Sequence, residues 1–215
     1  KRPGTLGICA VIQHKYGIDA VPHLLCSGFT REETEDFLIE LKYAGIENVL
    51  AVRGDENGYI KPLAEGKTRN EYAVDLVGQI RAMNEGKYLT DLLDVAPTRF
   101  CIGVGGYPEK HFMAANLRSD VERLKAKVAA GAEYVVTQLF YDNAHYFKFV
   151  ELCRSEGITV PIIAGLKVLT SKKQLEDVPK TFHVEIPYAL SCAVADALRV
   201  EEVREIGVNW AVTQV

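Results

Sequence analysis

Residues 48–52 read Asn-Val-Leu-Ala-Val, and they are followed at once by Arg53, Gly54 and Asp55. A short apolar run that ends in polar residues is typical of a parallel strand that is buried on both faces and carries functional groups at its carboxyl end. Four other runs have the same apolar character, and they cover residues 20–26, 100–104, 134–140 and 160–166. The sequence therefore predicts five parallel strands, each buried on both faces.

Helical patterns separate these runs. Thr30, with Glu33 three residues later, predicts a capping box at the start of a helix that ends at Gly45. Apolar residues at helical spacing predict a second helix over residues 117–131, and a third helix is predicted over residues 142–157. Strands that alternate with helices indicate repeated βα units around a parallel sheet. We predict one α/β domain over residues 1–215.

Composition excludes several classes of partner. The 215 residues are 48% hydrophobic and 25% charged, with a net charge of −4, so we expect a globular domain that binds neither nucleic acid nor a membrane surface. No apolar stretch reaches the roughly 18 residues that a transmembrane helix needs. The five cysteines are an odd number without a C-x-x-C pair, which favours reduced thiols and a cytoplasmic location.

Three strand ends carry polar or aromatic residues that could bind a ligand. Taken alone, Arg53-Gly54-Asp55 is more typical of a turn with a surface ion pair. Residues 103–111 place small residues, an aromatic ring, an acid and an imidazole after the third run, and residues 137–142 place an amide and aromatic rings after the fourth. His23 lies inside the first run, where a histidine is more often a hydrogen-bonded core residue than a ligand.

Several common catalytic motifs are missing from the sequence. The glycines of residues 103–111 do not have the G-x-G-x-x-G spacing of a dinucleotide-binding fold. The sequence also has no nucleophile elbow, no P-loop and no cluster of metal ligands. Hydrolase, kinase and metalloenzyme functions are therefore disfavoured, and no metal is expected.

The strand-end motifs together resemble methylenetetrahydrofolate reductases, in the same order along the chain. The segments that carry the resemblance are Val21-Pro22-His23, residues 50–55, residues 72–77, residues 106–111, residues 124–127, Gly131-Ala132, residues 137–142 and residues 161–166. Each motif is weak alone, but their ordered sum spans nearly the whole chain. The resemblance implies a (β/α)₈ TIM barrel that binds FAD without a Rossmann fingerprint.

The resemblance also implies an activity and a set of cofactor-binding residues. The expected reaction is the reduction of 5,10-methylenetetrahydrofolate to 5-methyltetrahydrofolate, with NAD(P)H as hydride donor in a ping-pong cycle. The residues that match FAD-binding positions of the family are His23, Arg53, Gly54, Asp55, Tyr72, Ala73, Gly106, Tyr107, His111, Asp120 and Lys127. Asp120 and Lys127 are seven residues apart, which places them on one face of a helix.

Three residues match positions that act on the substrate. Asp55 is expected to be catalytic, because its charge lowers the flavin potential and stabilises a cationic folate. Gln138 matches the glutamine that recognises the pterin ring, since its side-chain amide can pair in both directions. Tyr146 is expected to bind the same substrate. We further expect a homo-oligomer.

The chain departs from the family pattern at the general acid, at residues 188–192, where no folate contact is therefore expected, and in the loop 56–67. The family's general acid is a glutamate in an F-E-F/I-x-P-P segment, which is not found here. The resemblance implies that roughly the first two barrel strands and the last one are missing, so we expect the 215-residue chain alone to be inactive. One alternative is a non-catalytic flavin-binding paralogue. Another is an unrelated TIM-barrel enzyme that acts on a phosphorylated substrate, although Gly165-Leu166-Lys167 is a weak phosphate motif.

Overall fold

The computed structural model describes residues 4–54, 62–90 and 95–215. This part of the chain contains five strands and eight helices, which alternate as far as the fifth strand. The strands are β1 (His23–Leu25), β2 (Asn48–Val52), β3 (Cys101–Gly106), β4 (Tyr134–Thr137) and β5 (Ile162–Ile163). The helices are α1 (Thr5–Tyr16), α2 (Arg31–Tyr43), α3 (Ala73–Asn84), α4 (Leu117–Ala130), α5 (Asn143–Ser155), α6 (Gln174–Phe182), α7 (Tyr188–Asp196) and α8 (Val200–Gln214).

The strands follow the order β1-β2-β3-β4-β5, and the pairs whose register is described are parallel. His23 of β1 lies opposite Leu50 of β2, and Asn48 of β2 lies opposite Cys101 of β3. Val135 of β4 lies opposite Ile162 of β5. The predicted α/β fold with five parallel strands is therefore confirmed.

Three strands are shorter than the apolar runs that predicted them. Residues 20–26, 134–140 and 160–166 were expected to be extended throughout, but the strands are His23–Leu25, Tyr134–Thr137 and Ile162–Ile163. Pro22 and Pro161 lack the N–H group that a ladder needs, so they contribute only carbonyl oxygens, to Leu50 and Val135. At the end of β4, the N–H of Leu139 donates to the side chain of Gln138 at 2.9 Å, and the chain leaves the sheet there.

The expectation that every strand is buried on both faces is also wrong for the two outermost strands. The central residues of β2 and β3 are buried at successive positions, as expected for a sheet covered on both faces. In β1, however, His23 and Leu25 are exposed while Leu24 is buried. Ile163 of β5 is 51% exposed. These strands stand at the ends of the strand order, where the described residues cover one face only.

The chain divides into two compact units, of which the first comprises Lys1–Gly105 and Ala126–Tyr134. Its α2 begins with the predicted capping box: Glu33 N donates to Thr30 Oγ1 at 3.1 Å, and Thr30 N donates to a Glu33 carboxylate oxygen at 2.9 Å. Leu38 and Leu41 of this helix are completely buried. Gly45 has φ +70°, so it closes the helix in the left-handed conformation that glycine adopts readily.

A tyrosine fills space inside the first unit that a glycine leaves open. The hydroxyl of Tyr134 donates to the carbonyl oxygen of Val49 at 2.9 Å. A Cβ atom at Gly103 would overlap the Tyr134 ring, so this position requires glycine. Burial raises the pKa of Tyr134 to about 12, with smaller contributions from Cys101 and Glu133. The phenol therefore stays protonated and donates at any physiological pH.

The second unit comprises Gly106–Lys125 and Val135–Val215. The helices predicted over residues 117–131 and 142–157 are confirmed, because α4 covers Leu117–Ala130 and α5 covers Asn143–Ser155. Asp142 caps α5 by accepting from Ala144 N at 2.8 Å. Side chains from α6, α7 and α8 pack with Leu139 and Tyr141 into an apolar core. The indole N–H of Trp210 donates to the Tyr141 carbonyl at 2.9 Å.

The five cysteines are free thiols, and Cys9, Cys26 and Cys153 are buried. None of the helices in the described ranges is long and apolar enough to cross a membrane.

Candidate functional site

Arg53 and Gly54 follow β2 directly, as the sequence predicted. Gly54 has φ +92°, and a Cβ atom added to it would overlap the side chain of Ser27, so both backbone conformation and space require glycine. The guanidinium carbon of Arg53 lies 5.5 Å from the centre of the Tyr72 ring. The structure thus brings together two of the predicted cofactor residues. Asp55, the predicted catalytic residue, lies outside the described residues.

Tyr72 precedes α3, and Ala73 is the first residue of that helix. The N–H of Tyr72 donates to the carboxylate of Asp75 at 2.9 Å, which fixes the entry of the chain into the helix. The Tyr72 side chain is 60% exposed, so its ring is accessible on this surface. An aromatic ring beside a guanidinium and a closely approachable backbone can bind a planar, negatively charged ligand.

A buried amide pair that the sequence did not single out supports this surface. Asn70 donates to the side-chain oxygen of Gln79 at 2.7 Å, and Gln79 donates to the carbonyl of Arg31 at 2.7 Å. Asn70 is 4% exposed and Gln79 is 5% exposed, so both amides are committed to these bonds. The pair anchors the chain two residues before Tyr72. Polar residues of this kind carry no local signal of burial in a sequence.

His23 and Lys127 are the other predicted cofactor residues of the first unit. His23 projects from the exposed face of β1. The ammonium of Lys127 donates to the carbonyl oxygen of Gly105 at 2.6 Å, next to the end of β3. This bond places a cation close to the carboxyl end of that strand, where an anionic group could approach it.

Gly106, Tyr107 and His111 lie together in the second unit, in a segment that we call the cofactor loop (residues 106–111). The Tyr107 and His111 rings meet edge to face with centroids 4.7 Å apart. The backbone N–H of His111 donates to the carboxylate of Asp120 at 2.8 Å. Met113 N donates to His111 Nδ1 at 3.2 Å, so in the neutral ring Nε2 carries the proton. Four predicted residues of the second unit are therefore neighbours.

Gln138 follows β4, and its backbone N–H donates to the carbonyl of Gly106 at 2.7 Å. Its side-chain oxygen accepts the N–H of Leu139 at 2.9 Å, which orients the amide. A Cβ atom on Gly106 would lie 2.7 Å from Val135 and 2.9 Å from Phe149, so this contact between β3 and the residue after β4 depends on glycine. Gln138 is thereby held next to the cofactor loop.

Tyr146 lies on α5, and its hydroxyl forms a hydrogen bond within the protein. The hydroxyl donates to the Ile162 carbonyl at 3.0 Å, and the ring stacks on Phe140 with centroids 5.2 Å apart and an interplanar angle of 15°. The residue thus ties α5 to β5 and presents aromatic surface rather than a hydroxyl. Its predicted role in substrate binding stays a prediction.

Glu109 is the acid that the sequence places after the third run, and sequence reasoning assigned it no role. One carboxylate oxygen accepts the N–H of Glu185 at 2.7 Å, and the other is buried with no hydrogen-bond partner among the described residues. Burial raises the pKa of Glu109 above its usual value, and the carboxylates of Glu185 and Asp142 raise it further, while His145 and the bond from Glu185 N lower it. A glutamate in a loop shows no sign of this in a sequence, because its partner is distant along the chain.

Within residues 4–54, 62–90 and 95–215, no group of three or more His, Cys, Asp or Glu side chains could hold a metal ion.

The residue types and their order along the strand ends are those of a known enzyme family. A family model described as methylenetetrahydrofolate reductase matches residues 1–215. The chain belongs to the methylenetetrahydrofolate reductase family. The predicted resemblance is thereby confirmed over the full length of the sequence.

Individual members of the methylenetetrahydrofolate reductase family support the assignment. The chain is 32% identical over 216 residues to the 5,10-methylenetetrahydrofolate reductase of Salmonella typhimurium, an alignment that covers 100% of this chain and 66% of that protein. It is 34% identical over 188 residues to the probable methylenetetrahydrofolate reductase (NADPH) of Caenorhabditis elegans, which covers 87% of this chain and 26% of that protein. The chain therefore spans about two thirds or less of these relatives.

Solved structures show the same fold. An uncharacterized protein from Clostridium thermocellum that binds two copies of 5-methyl-5,6,7,8-tetrahydrofolic acid has a TM-score of 0.55 and 15% identity, and the match covers 94% of this chain and 64% of that one. Oxaloacetate acetylhydrolase matches with a TM-score of 0.51 and 11% identity, over 94% of this chain and 56% of that one. The family and these similarities place the five parallel strands in the TIM-barrel class, as predicted.

Proposed function

We propose that the full-length protein reduces 5,10-methylenetetrahydrofolate to 5-methyltetrahydrofolate with FAD as cofactor and NAD(P)H as hydride donor. The observation that carries this proposal is the family match over residues 1–215. We also propose a ping-pong cycle, a homo-oligomer and a cytoplasmic location. All of these concern the whole protein, of which this chain corresponds to about two thirds in the Salmonella typhimurium relative.

The chemistry of several described residues supports a flavin dinucleotide as the cofactor. Gly54 lets the backbone approach a ligand closely, because its φ of +92° and its lack of a Cβ atom leave that space open. In the first unit, Arg53 and Lys127 would supply cations for phosphate groups and Tyr72 an aromatic ring. In the second unit, Tyr107 would supply a further aromatic ring. The residues that would hold FAD are those predicted from the resemblance: His23, Arg53, Gly54, Asp55, Tyr72, Ala73, Gly106, Tyr107, His111, Asp120 and Lys127.

When bound, FAD supplies the ability to take a hydride from the nicotinamide and to pass one to the folate. The protein's own residues bind and orient the substrate. The Gln138 oxygen accepts from Leu139 N at 2.9 Å, so in this proposal the amide NH₂ group would be the donor to the pterin edge. Tyr146 would add aromatic surface. For Asp55 we propose electrostatic stabilisation of a cationic folate, a role that rests on the resemblance.

The test uses the visible spectrum of the full-length protein and its two half-reactions under anaerobic conditions. Bound flavin should be visible, NADH or NADPH should bleach it, and methylenetetrahydrofolate should restore it. A protein without flavin would contradict the whole proposal. Flavin that is bound but never reoxidised by the folate would contradict the activity and would favour a non-catalytic flavin-binding protein.

Gln138→Glu tests the substrate site separately. The change removes the amide donors and adds a charge, so folate binding should weaken by about 1–3 kcal/mol while flavin stays bound. Asn209→Asp is the matched control, because it makes the same amide-to-carboxylate change at an exposed position on α8. Titration of the flavin spectrum with folate measures both. Equal folate affinity in the two variants would exclude Gln138 from the pterin site.

A further inference from the structure

The segment between α6 and α7 contacts the cofactor loop at Glu109 and contacts Phe112, the residue that follows the loop. We call residues 183–185 the connector segment. At the first point, the backbone N–H of Glu185 donates to the carboxylate of Glu109 at 2.7 Å. Hydrogen bonds to an ionised acceptor are stronger than those between neutral groups, so this bond can fix the position of the connector.

The second contact is a column of stacked rings. His111 stacks on Phe112 with centroids 4.6 Å apart, and Phe112 stacks on His183 with centroids 4.7 Å apart. His183 ends α6 with φ +55°, a left-handed conformation that is uncommon for residues other than glycine. The residue whose imidazole stacks on Phe112 therefore has a backbone conformation that costs free energy, and the contacts around it must maintain that conformation.

Burial of the Glu109 carboxylate also costs free energy. Its carboxylate is withdrawn from water, and one of its oxygens has no hydrogen-bond partner in the described part of the chain. The neighbouring carboxylates of Glu185 and Asp142 repel it, whereas His145 attracts it. Two unfavourable features at one contact argue that the contact serves more than packing.

We propose that Glu109 and Phe112 are positioning residues that couple the connector segment to the cofactor loop, so that FAD affinity depends on this contact. The inference rests on the proposed function, because Tyr107 and His111 are proposed FAD residues and flank Glu109. Coupling between two sites is reciprocal, so FAD binding should in turn hold the connector segment in place.

The first test measures FAD dissociation constants by flavin fluorescence in the full-length protein. Glu109→Ala and Phe112→Ala should each weaken binding by about tenfold, which corresponds to the loss of one charge-assisted hydrogen bond or one ring contact. Glu109→Gln and Phe112→Tyr keep an acceptor and a ring, so they should restore most of the affinity. Glu151→Gln is the control, since Glu151 is an exposed carboxylate on α5.

The second test needs no variant and therefore does not depend on whether a variant folds. Amide hydrogen exchange at residues 183–186 is measured in the wild-type protein with and without FAD. Exchange should slow several-fold on FAD binding, whereas a contact that only stabilises the fold would give the same exchange in both samples.

The outcomes separate this inference from the proposed function. If the wild-type protein binds no FAD, both are wrong. If FAD binds, but the alanine variants match Glu151→Gln and exchange at the connector does not change, the coupling is wrong and the proposed function stands. Weaker binding in the alanine variants, rescue by the conservative changes and slower exchange together would establish it.

Discussion

At Gly54 of the candidate site, the backbone conformation and the surroundings disfavour every residue other than glycine. Its φ of +92° and the overlap that a Cβ atom would make with Ser27 both oppose a side chain. Gly54→Ala should therefore lower the free energy of unfolding by about 1–2 kcal/mol or more. In Gly78→Ala the helical backbone accepts alanine and nothing lies within 4 Å of the new Cβ, so stability should rise by about 0.5–1 kcal/mol. Urea unfolding measures both, and equal effects would contradict the conformational argument.

The cysteines should differ sharply in reactivity. Burial, with the Asp75 carboxylate as a smaller contribution, raises the pKa of Cys26 to about 12, and burial raises that of Cys153 to about 11. Cys26 is also 3% exposed. At pH 8 iodoacetamide should therefore modify the partly exposed Cys192 in the native protein and spare these two thiols.

Peptide mass spectrometry after timed labelling gives the result for each cysteine. The same reaction in denaturant should modify all five thiols. Labelling of Cys26 at the same rate as Cys192 in the native state would show that the first strand opens readily to solvent.

Among the elements, α2 begins with a reciprocal N-terminal capping box. Thr30 accepts the N–H of Glu33 at 3.1 Å, so Thr30→Ala leaves that donor without its side-chain partner. The expected loss of stability is about 1 kcal/mol. Thr5→Ala, at the exposed first turn of α1, is the matched control and should change stability by less than about 0.5 kcal/mol. Chemical denaturation of both variants would reveal equal losses if the cap did not matter.

Local patterns predicted elements of this kind well, because their cause is local. The capping box of Thr30 and Glu33 and the helix predicted from residue 142 both depend on residues within a few positions of each other. Helices α6, α7 and α8 were not predicted, since they follow one another with no strand between them and the alternation of strands and helices gives no indication of them.

Without the family resemblance, which named Tyr72, Asp120 and Lys127, the candidate site was predictable only where a strand end marked it. Arg53, Gly54 and Gln138 could be named because each directly follows a strand. The hydrogen-bond partners of Asn70 and Glu109 could not be predicted, because the tertiary fold alone brings Gln79 and Glu185 to them. The end of β4 was predicted too late for a related reason. The N–H of Leu139 donates to the side chain of Gln138, whereas in an extended strand it would donate to a neighbouring strand.

At the scale of the whole molecule, Glu109 should make stability depend on pH. Burial is the largest cause of its raised pKa, and the ordinary value is 4.5. Well below pH 4.5 the carboxyl is protonated in both the folded and the unfolded state, so it does not affect the free energy of unfolding. As the pH rises from 4.5 through the raised pKa, ionisation costs the folded state more than the unfolded one, so stability falls. Glu109→Gln should therefore become more stable relative to wild type as the pH rises over this range and level off above it. Urea titrations at several pH values measure the difference, and a flat difference would contradict the assignment.

The fit of Tyr134 over Gly103 has a consequence for how this protein can evolve. The ring occupies the volume that a side chain at position 103 would need, and its hydroxyl is anchored on the Val49 carbonyl at 2.9 Å. Neither position can therefore change freely while the other stays as it is. Across related sequences, a larger residue at 103 should occur together with a smaller one at 134, so that the pair covaries because of packing.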